Sequence, residues 1–600
     1  SIFFILILAT SQAVFYTAGR RILLLYIPLA ISYFYFFRKS SLSPTPQQSV
    51  GKLLLLSLPL VIFFFSWSFL SLVNFGDSSF YMPSGLATQE NDFFIYAQRA
   101  QFLAVSGQEN YFSVLNTLDP AYQGNSPYHY LELWISSCLS SIFQVKQVFA
   151  LGLLVKTFFY LSAGLGILAI WERRETTWNY KPIFWVLVLI FLSGVYAKSP
   201  LISLPEFNLS LLSYRFKMIV YYPFILGFAW HALRKERALA ACMLGALMIA
   251  TVVVIPAFLG AGGICLTIAL MRKKGKVLFT PCLILFILSL GIFLFYSISP
   301  SPDFIASMGL EEKEFLGSLR LKNIPELLLN FLGYILAPIP IFLTSILLIF
   351  FQLKSKEEQE VKDEIYLFIG AVIFAGAGAY ALLKDFENAI QLYYNPLIAC
   401  LNVGAILAAI IFLQRKKVPR LLYWLLFLSI SNQLYLLGPK LFKHHSSRAY
   451  HPAYVERIKS LADSGELSQL GGVLKASEDY TSAFSKITYA YSGAYYLQYF
   501  EGERICLSLS DHLVPIDPKN ARNNLVNRNG GLFYRFLQKE KERKTFVSFD
   551  QTQAEFIKAF HINFLVLSKN VTLGPELHLL IKEIIVDEYS GERFILLKNN

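Results

Sequence analysis

Apolar runs of about bilayer length recur along this chain, and they limit its fold more sharply than any other feature. A membrane-spanning helix needs about 20 apolar residues. Runs near that length fall at 1–16, 21–37, 53–74, 147–171, 182–197, 212–233, 238–256, 257–271, 277–297, 328–352, 365–383, 388–413 and 420–438. They predict an α-helical polytopic membrane protein of about thirteen transmembrane helices. The stretch 238–271 reads in two ways, since Pro256 allows two short helices or one helix with a re-entrant piece. Only 16% of the 600 residues are charged and 55% are hydrophobic, whereas a soluble chain carries about a quarter charged residues. The first run begins at Ser1, so the expectation is that the true N-terminus lies upstream. The first run need not be a cleaved signal peptide, because many similar runs follow it.

Basic residues in short loops set the orientation. Arg38, Lys39 and Lys52, then Arg173, Arg174 and Lys181, fall in loops of one parity. The clusters Arg234-Lys235-Arg237, Arg272-Lys273-Lys274-Lys276 and Arg415-Lys416-Lys417-Arg420 continue the series. The loop 353–364 shares that parity with mixed charge, and Arg20 and Arg21 are the exception. One topology satisfies the rest, with these loops cytoplasmic and both the 75–146 loop and everything after 438 outside. The net charge of +13 is therefore read as a set of topology determinants, and no nucleic-acid partner is expected.

The domain reading is a transmembrane domain over 1–438, including the extracytoplasmic loop 75–146, and a soluble extracytoplasmic α/β domain over 439–600. In the loop, Asp92–Ser106 reads as helical with Gly107 as its stop. In the soluble domain, Thr545–Phe549, Asn563–Leu567, Ile581–Val586 and Arg593–Leu597 read as strands. Ala453–Ala462 and Gln553–Phe560 read as helices. Cys242, Cys265, Cys282 and Cys400 sit in apolar segments, which leaves Cys138 and Cys506 in polar surroundings. Neither a zinc site nor an essential disulfide is expected. Gly164-Leu165-Gly166, Gly260-Ala261-Gly262-Gly263 and Gly376-Ala377-Gly378 lie inside apolar runs, where small residues serve helix packing. The sequence has no Walker A string, which argues against ATP-driven transport by this chain.

The most informative polar string is Gln89-Glu90-Asn91-Asp92-Phe93-Phe94-Ile95-Tyr96, in the first external loop. Two carboxylates one residue apart can share a divalent cation or divide general-base and metal-binding work. Acidic residues also suit the first turn of a helix, so Glu90 and Asp92 could simply favour the helix that follows.

A long first external loop with an acidic pair, many spans and a C-terminal external domain resembles the GT-C superfamily of membrane glycosyltransferases. The likeness rests on Glu90 and Asp92, on the stretch from Asp92 through Tyr96, Ala100 and Gly107, and on Pro127-Tyr128-His129-Tyr130. The Trp-Trp-Asp motif of oligosaccharyltransferases is absent, which argues against block transfer of glycans to asparagine. The resemblance implies an inverting enzyme that takes a sugar from a polyprenyl-phosphate-linked donor and gives it to a glycan, lipid or protein acceptor. It implies Asp92 as general base, with Glu90 orienting it or sharing a cation such as Mg or Mn.

Such a reaction needs cations for the departing phosphate. Arg215 and Lys217 stand at the outer start of the sixth run, as phosphate ligands or as snorkelling interfacial residues. Lys156 lies inside the fourth run, where a charge faces a cavity or reaches out to headgroups. His129 at the end of the first loop could touch donor or acceptor, with Glu132 close by in sequence. Lys384, Asp385, Glu387 and Gln391, the acidic residues Asp303, Glu311, Glu312 and Glu314, and the run from Lys443 to His451 read as loop polarity or headgroup-facing linkers. Two rivals remain at this stage: a transporter or lipid flippase, and a non-catalytic membrane assembly protein. The expected setting is a bacterial inner membrane, with the endoplasmic reticulum topologically equivalent.

Overall fold

The computed structural model describes residues 2–15, 22–39, 50–75, 96–97, 99–101, 103–104, 107, 109, 124–172, 181–190, 192, 216–273, 275–298, 300, 324–336, 339, 342–353, 359–383, 390–414, 420, 423–428, 430–431, 451–474, 505–513, 532–588 and 591–598. Among these residues, six helices are long and apolar enough to cross a membrane: Ile22–Lys39, Ala150–Glu172, Val252–Met271, Val277–Ile298, Glu364–Leu382 and Ile390–Leu413. Shorter apolar helices run over Ser57–Phe69, Leu131–Phe143, Arg237–Ala250, Ile324–Leu336 and Leu343–Leu353. The chain is an integral membrane protein.

Two stretches of the expected spans are described as pairs of helices. Within the run read over 328–352 the helices are Ile324–Leu336 and Leu343–Leu353, and 337–338 and 340–341 between them lie outside the described residues. The run 238–271 also forms two helices, but its break is at Thr251, whose backbone is extended (φ −152°, ψ 113°). Pro256 falls in the first turn of Ile255–Met271, where its missing N–H costs nothing.

The bundle is built around Ile390–Leu413, whose most apolar window is 100% buried, whereas that of Val277–Ile298 is only 17% buried. Phe279, Phe286, Ile287 and Phe293 on the latter helix face outward, as lipid-facing side chains do. The central helix packs against Gln359–Leu382, Leu343–Leu353 and Tyr221–Leu233. It is pinned by side-chain bonds, with Asn402 Nδ2 donating to Tyr222 Oη at 2.9 Å and Asn395 Nδ2 to Tyr221 Oη at 3.3 Å. Interhelical hydrogen bonds of this kind average about 0.6 kcal/mol in a membrane bundle.

Charged groups gather at one end of the bundle. Arg237 grips Glu364 through two bonds, the shorter 2.6 Å. His231 approaches Tyr33 Oη at 3.1 Å and Glu236 Oε2 at 2.8 Å. The basic loops around 38–39 and 234–237 thus share an end with the 359–364 segment, in keeping with a common side. At the other end Asn125 of the first loop forms a bridge to Pro300, just past Gly275–Ile298.

The C-terminal domain holds a five-stranded sheet. Its strands are β1 (Leu470–Leu474), β2 (Ile505–Ser508), β3 (Phe564–Leu567), β4 (Ile581–Val586) and β5 (Arg593–Leu597), in the order β2-β1-β3-β5-β4. The first three positions are parallel, and β5 pairs antiparallel with both β3 and β4. Alternating side chains feed a core on each face. Tyr454, Ile458 and Leu461 of the helix Pro452–Asp463 cover Val473, Phe564, Val566 and Phe594 on one face. Leu532, Phe533, Phe556 and Ile557 cover Leu507, Leu565, Leu567 and Ile595 on the other.

The expected strands over 563–567, 581–586 and 593–597 form, and so do both expected helices. Thr545–Phe549 is a correction: 545–548 is irregular, and Ser548 Oγ caps the helix Phe549–Ala559 by accepting from Gln551 N–H at 3.1 Å. Cys506 is a second correction, since it is buried on β2, where burial pushes its thiol up. Cys138 is likewise buried, in Leu131–Phe143.

Candidate functional site

The first loop closes on itself at its C-terminal end. Residues 96–104 are helical where described, and Gly107, with φ +63°, ends that stretch as its N–H bonds to Leu103 O at 2.9 Å. Glycine occupies this left-handed position without a Cβ penalty. Glu109 follows and is fully buried. Its Oε2 accepts from Ile22 N–H at 2.6 Å and its Oε1 from Trp134 Nε1 at 2.8 Å. Its carbonyl accepts from Ser126 N–H at 3.1 Å. One carboxylate therefore joins the first loop to the start of Ile22–Lys39 and to the helix Leu131–Phe143. Charge-assisted bonds are the strong ones in such a setting.

Beside it lies a ring of aromatic side chains around a histidine. His129 stacks on Tyr128 at 4.0 Å and meets the edge of Tyr96 at 4.9 Å. Arg99, mostly buried, lies over Tyr128 at 4.6 Å. His129 Nδ1 is paired with Glu132 Oε1, one helical turn away. Glu132 is 1% exposed, and its Oε2 has no hydrogen-bond partner among the described residues. Glu132 lies within electrostatic range of the Tyr26 and Tyr221 hydroxyls. Tyr26 donates to Ala246 O at 3.0 Å, and Tyr221 lies 3.5 Å from Thr251 Oγ1. Five segments that are distant in sequence thus face one polar centre inside an apolar bundle.

Lys156 is buried at the start of its helix, directly after the π-helical turn Ala150–Val155. π-Helical turns are rare and recur at functional sites. The helix Leu131–Phe143 folds back on Ala150–Val155 through a turn at 144–146.

The structure brings together two of the expected site residues, Tyr96 and His129, and buries a third, Lys156. Glu90, Asp92 and Arg215 lie outside the described residues, and so does the side chain of Lys217, whose backbone belongs to Phe216–Ile219. Asp303, Glu311, Glu312, Glu314, Lys384, Asp385 and Glu387 lie outside them as well. Among the described residues, no group of three or more His, Cys, Asp or Glu side chains could hold a metal ion. Sequence reasoning missed Glu109 and Arg99 as members of this cluster, and it named Tyr128 only within the Pro127–Tyr130 stretch. The one available signal was a carboxylate two residues past the Gly107 stop.

No protein-family model matches the chain, and no curated protein matches it. Among solved structures, the fold is similar to the crystal structure of ArnT from Cupriavidus metallidurans bound to undecaprenyl phosphate. The match covers 92% of this chain and 98% of that one, with 11% identity and a TM-score of 0.42.

Proposed function

We propose that the chain is an integral membrane glycosyltransferase of the GT-C type. In this reading it moves a sugar from a polyprenyl-phosphate-linked donor to an acceptor hydroxyl of a glycan, lipid or protein on the extracytoplasmic face. The observation that carries the reading is the buried polar centre at the end of the first loop, where Glu109, Glu132, Arg99 and His129 meet inside the bundle. Ionisable groups in a membrane interior are expensive and gather where a pathway or a reaction needs them. The acidic pair Glu90 and Asp92 immediately precedes this centre in the chain.

The chemistry is an in-line displacement. The acceptor oxygen bonds to the anomeric carbon as that carbon's bond to the donor phosphate oxygen breaks, which inverts the centre. Asp92 takes the acceptor proton, and Glu90 orients Asp92 or holds a divalent cation with it. Hard carboxylate oxygens suit Mg or Mn, and such an ion would neutralise phosphate charge when bound. Arg215 presents a bidentate fork to the departing phosphate, with Lys217 or Lys156 as a second cation. Tyr96 and His129 would flank the sugar. The soluble domain would lie on the same outer face and recruit or cover the acceptor. A bacterial inner membrane is the proposed setting.

General-base catalysis contributes about 10²–10⁴-fold. Asp92→Asn is accordingly expected to lower glycan transfer by at least about a hundredfold while the protein is made and folded normally. Full transfer by that variant at normal expression removes Asp92 from the chemistry.

A further inference from the structure

Among the described residues, the C-terminal domain carries an exposed corner that is both basic and apolar. The helix Leu532–Glu542 carries Lys539 and Lys541 in its last turn, and the chain then passes through 543–548 into Phe549–Ala559. Val547 is 71% exposed, Phe549 44% and Leu513 38%. These side chains are contiguous. His512, next to Leu513, stacks on Phe549 at 4.5 Å, and Phe546 meets Phe549 edge-on at 5.4 Å. Lys541 Nζ stands over both rings, 5.3 Å from Phe546 and 5.7 Å from Phe549. Lys539, Arg543 and Lys544 are also exposed around the turn. Glu540 and Glu542 are interspersed, with Glu540 3.9 Å from Arg543, so the rim from 539 to 544 keeps a positive excess.

We infer that this corner, with Val547 and Phe549 at its tip and Lys541, Arg543 and Lys544 at its rim, seats the domain on an anionic lipid surface. The composition decides between occupants. Lysine is depleted in protein–protein interfaces, whereas exposed apolar side chains rimmed by Lys and Arg suit the boundary between headgroups and acyl chains. Position favours the same partner. Residues 439–451 join the bundle to the domain, and thirteen residues span roughly 45 Å at full extension. The domain is therefore held close to a bilayer throughout its life, and a weak surface affinity is enough to dock it. The inference stands apart from the proposed chemistry, since it uses no residue of the buried centre.

The test uses the full-length chain in lipid nanodiscs. Of the six native cysteines five are buried and Cys282 is half-buried, so Val547→Cys can be labelled selectively with an environment-sensitive dye. Val586→Cys, exposed on β4 beside Asp587 and Glu588, is the control. With phosphatidylglycerol present, lipid-borne quenchers are expected to quench position 547 at least twofold more than position 586. Replacing Lys541, Arg543 and Lys544 by Glu should lower the docked-to-undocked ratio roughly fivefold for each cation removed. Raised salt should weaken docking in the unaltered rim, a measurement that needs no folded charge-reversal variant. Equal quenching at the two positions overturns the inference. So does a blue-shifted but unquenched label at 547, which would mean protein covers the corner, or quenching that is the same with neutral lipid.

Discussion

In the helical bundle Glu109 is cut off from solvent, and its two oxygens accept from the Ile22 N–H and the Trp134 indole. In the C-terminal domain Glu466 is 44% exposed and meets Lys582 at 3.2 Å, while Glu583 pairs with the exposed Arg457. A carboxylate inside the bundle has lost its water, so it persists only where donors converge on it. A carboxylate on the domain surface keeps its water, and its partner adds little. Glu132 fits neither description: it is as buried as Glu109, yet only one of its oxygens is bonded among the described residues. This difference separates a carboxylate that holds elements together from one with capacity left for a proton or a ligand.

Three changes test the contrast, in falling order of effect. Glu109→Ala strands two buried donors, and at about 1–3 kcal/mol for each the loss should be roughly 2–6 kcal/mol. Thermal unfolding in detergent would show it, and wild-type stability would mean that the bundle does not depend on this carboxylate. Gly471→Ala comes next, because a Cβ there would run into the Phe564 ring across the sheet. Overpacking of this kind costs about 1–3 kcal/mol. Hydrogen exchange should rise in the domain strands while the bundle helices keep their protection. Uniform change in both regions would break the idea that the two cores are independent.

The smallest effect belongs to Glu466→Gln. Its hydrogen bond to Lys582, and then that lysine's charge, hold the Glu466 carboxyl below its usual range. A depressed folded-state pKa stabilises the fold above the unfolded value, about 4.3 for glutamate, and the contribution disappears as pH falls through the folded-state value. The variant should therefore differ slightly from wild type at neutral pH, match it in strong acid, and lose the difference in high salt. A difference that persists in acid would assign the effect to something other than the ion pair.

How far these features could be read in advance follows the range of the interactions. Membrane spans are written locally, because hydropathy sums along one stretch of chain, and the strands at 564–567, 581–586 and 593–597 carry dense apolar runs. The break at Thr251 was hidden because Pro256 is the more obvious interruption, although it sits harmlessly in a first turn. Strand β1 was missed because Gly471-Gly472 looks like a turn, whereas the missing side chains make room for Phe564, Leu509 and Leu565. Thr545–Phe549 has the composition of a strand, but Ser548 uses it to start a helix and leaves Val547 in solvent. Glu90 and Asp92, the proposed catalytic pair, are legible in the sequence as a short motif and lie outside the described residues. The bond from Ile22 to Glu109 and the contact of Tyr96 with His129 were not legible, since they join residues far apart in sequence through tertiary packing.

The helix Ile390–Leu413 has a consequence for how the protein is made. It is synthesised after the helices that surround it, yet it occupies the middle of the bundle and faces no lipid. Its neighbours come earlier in the chain, and only the 420–438 run follows it. Until it arrives, Tyr222 lacks Asn402 and Tyr221 lacks Asn395. A chain that stops short of Ile390 lacks both partners, and the helices that pack on Ile390–Leu413 lose that cover. For this protein, the packing of the bundle's centre waits on one of its last helices.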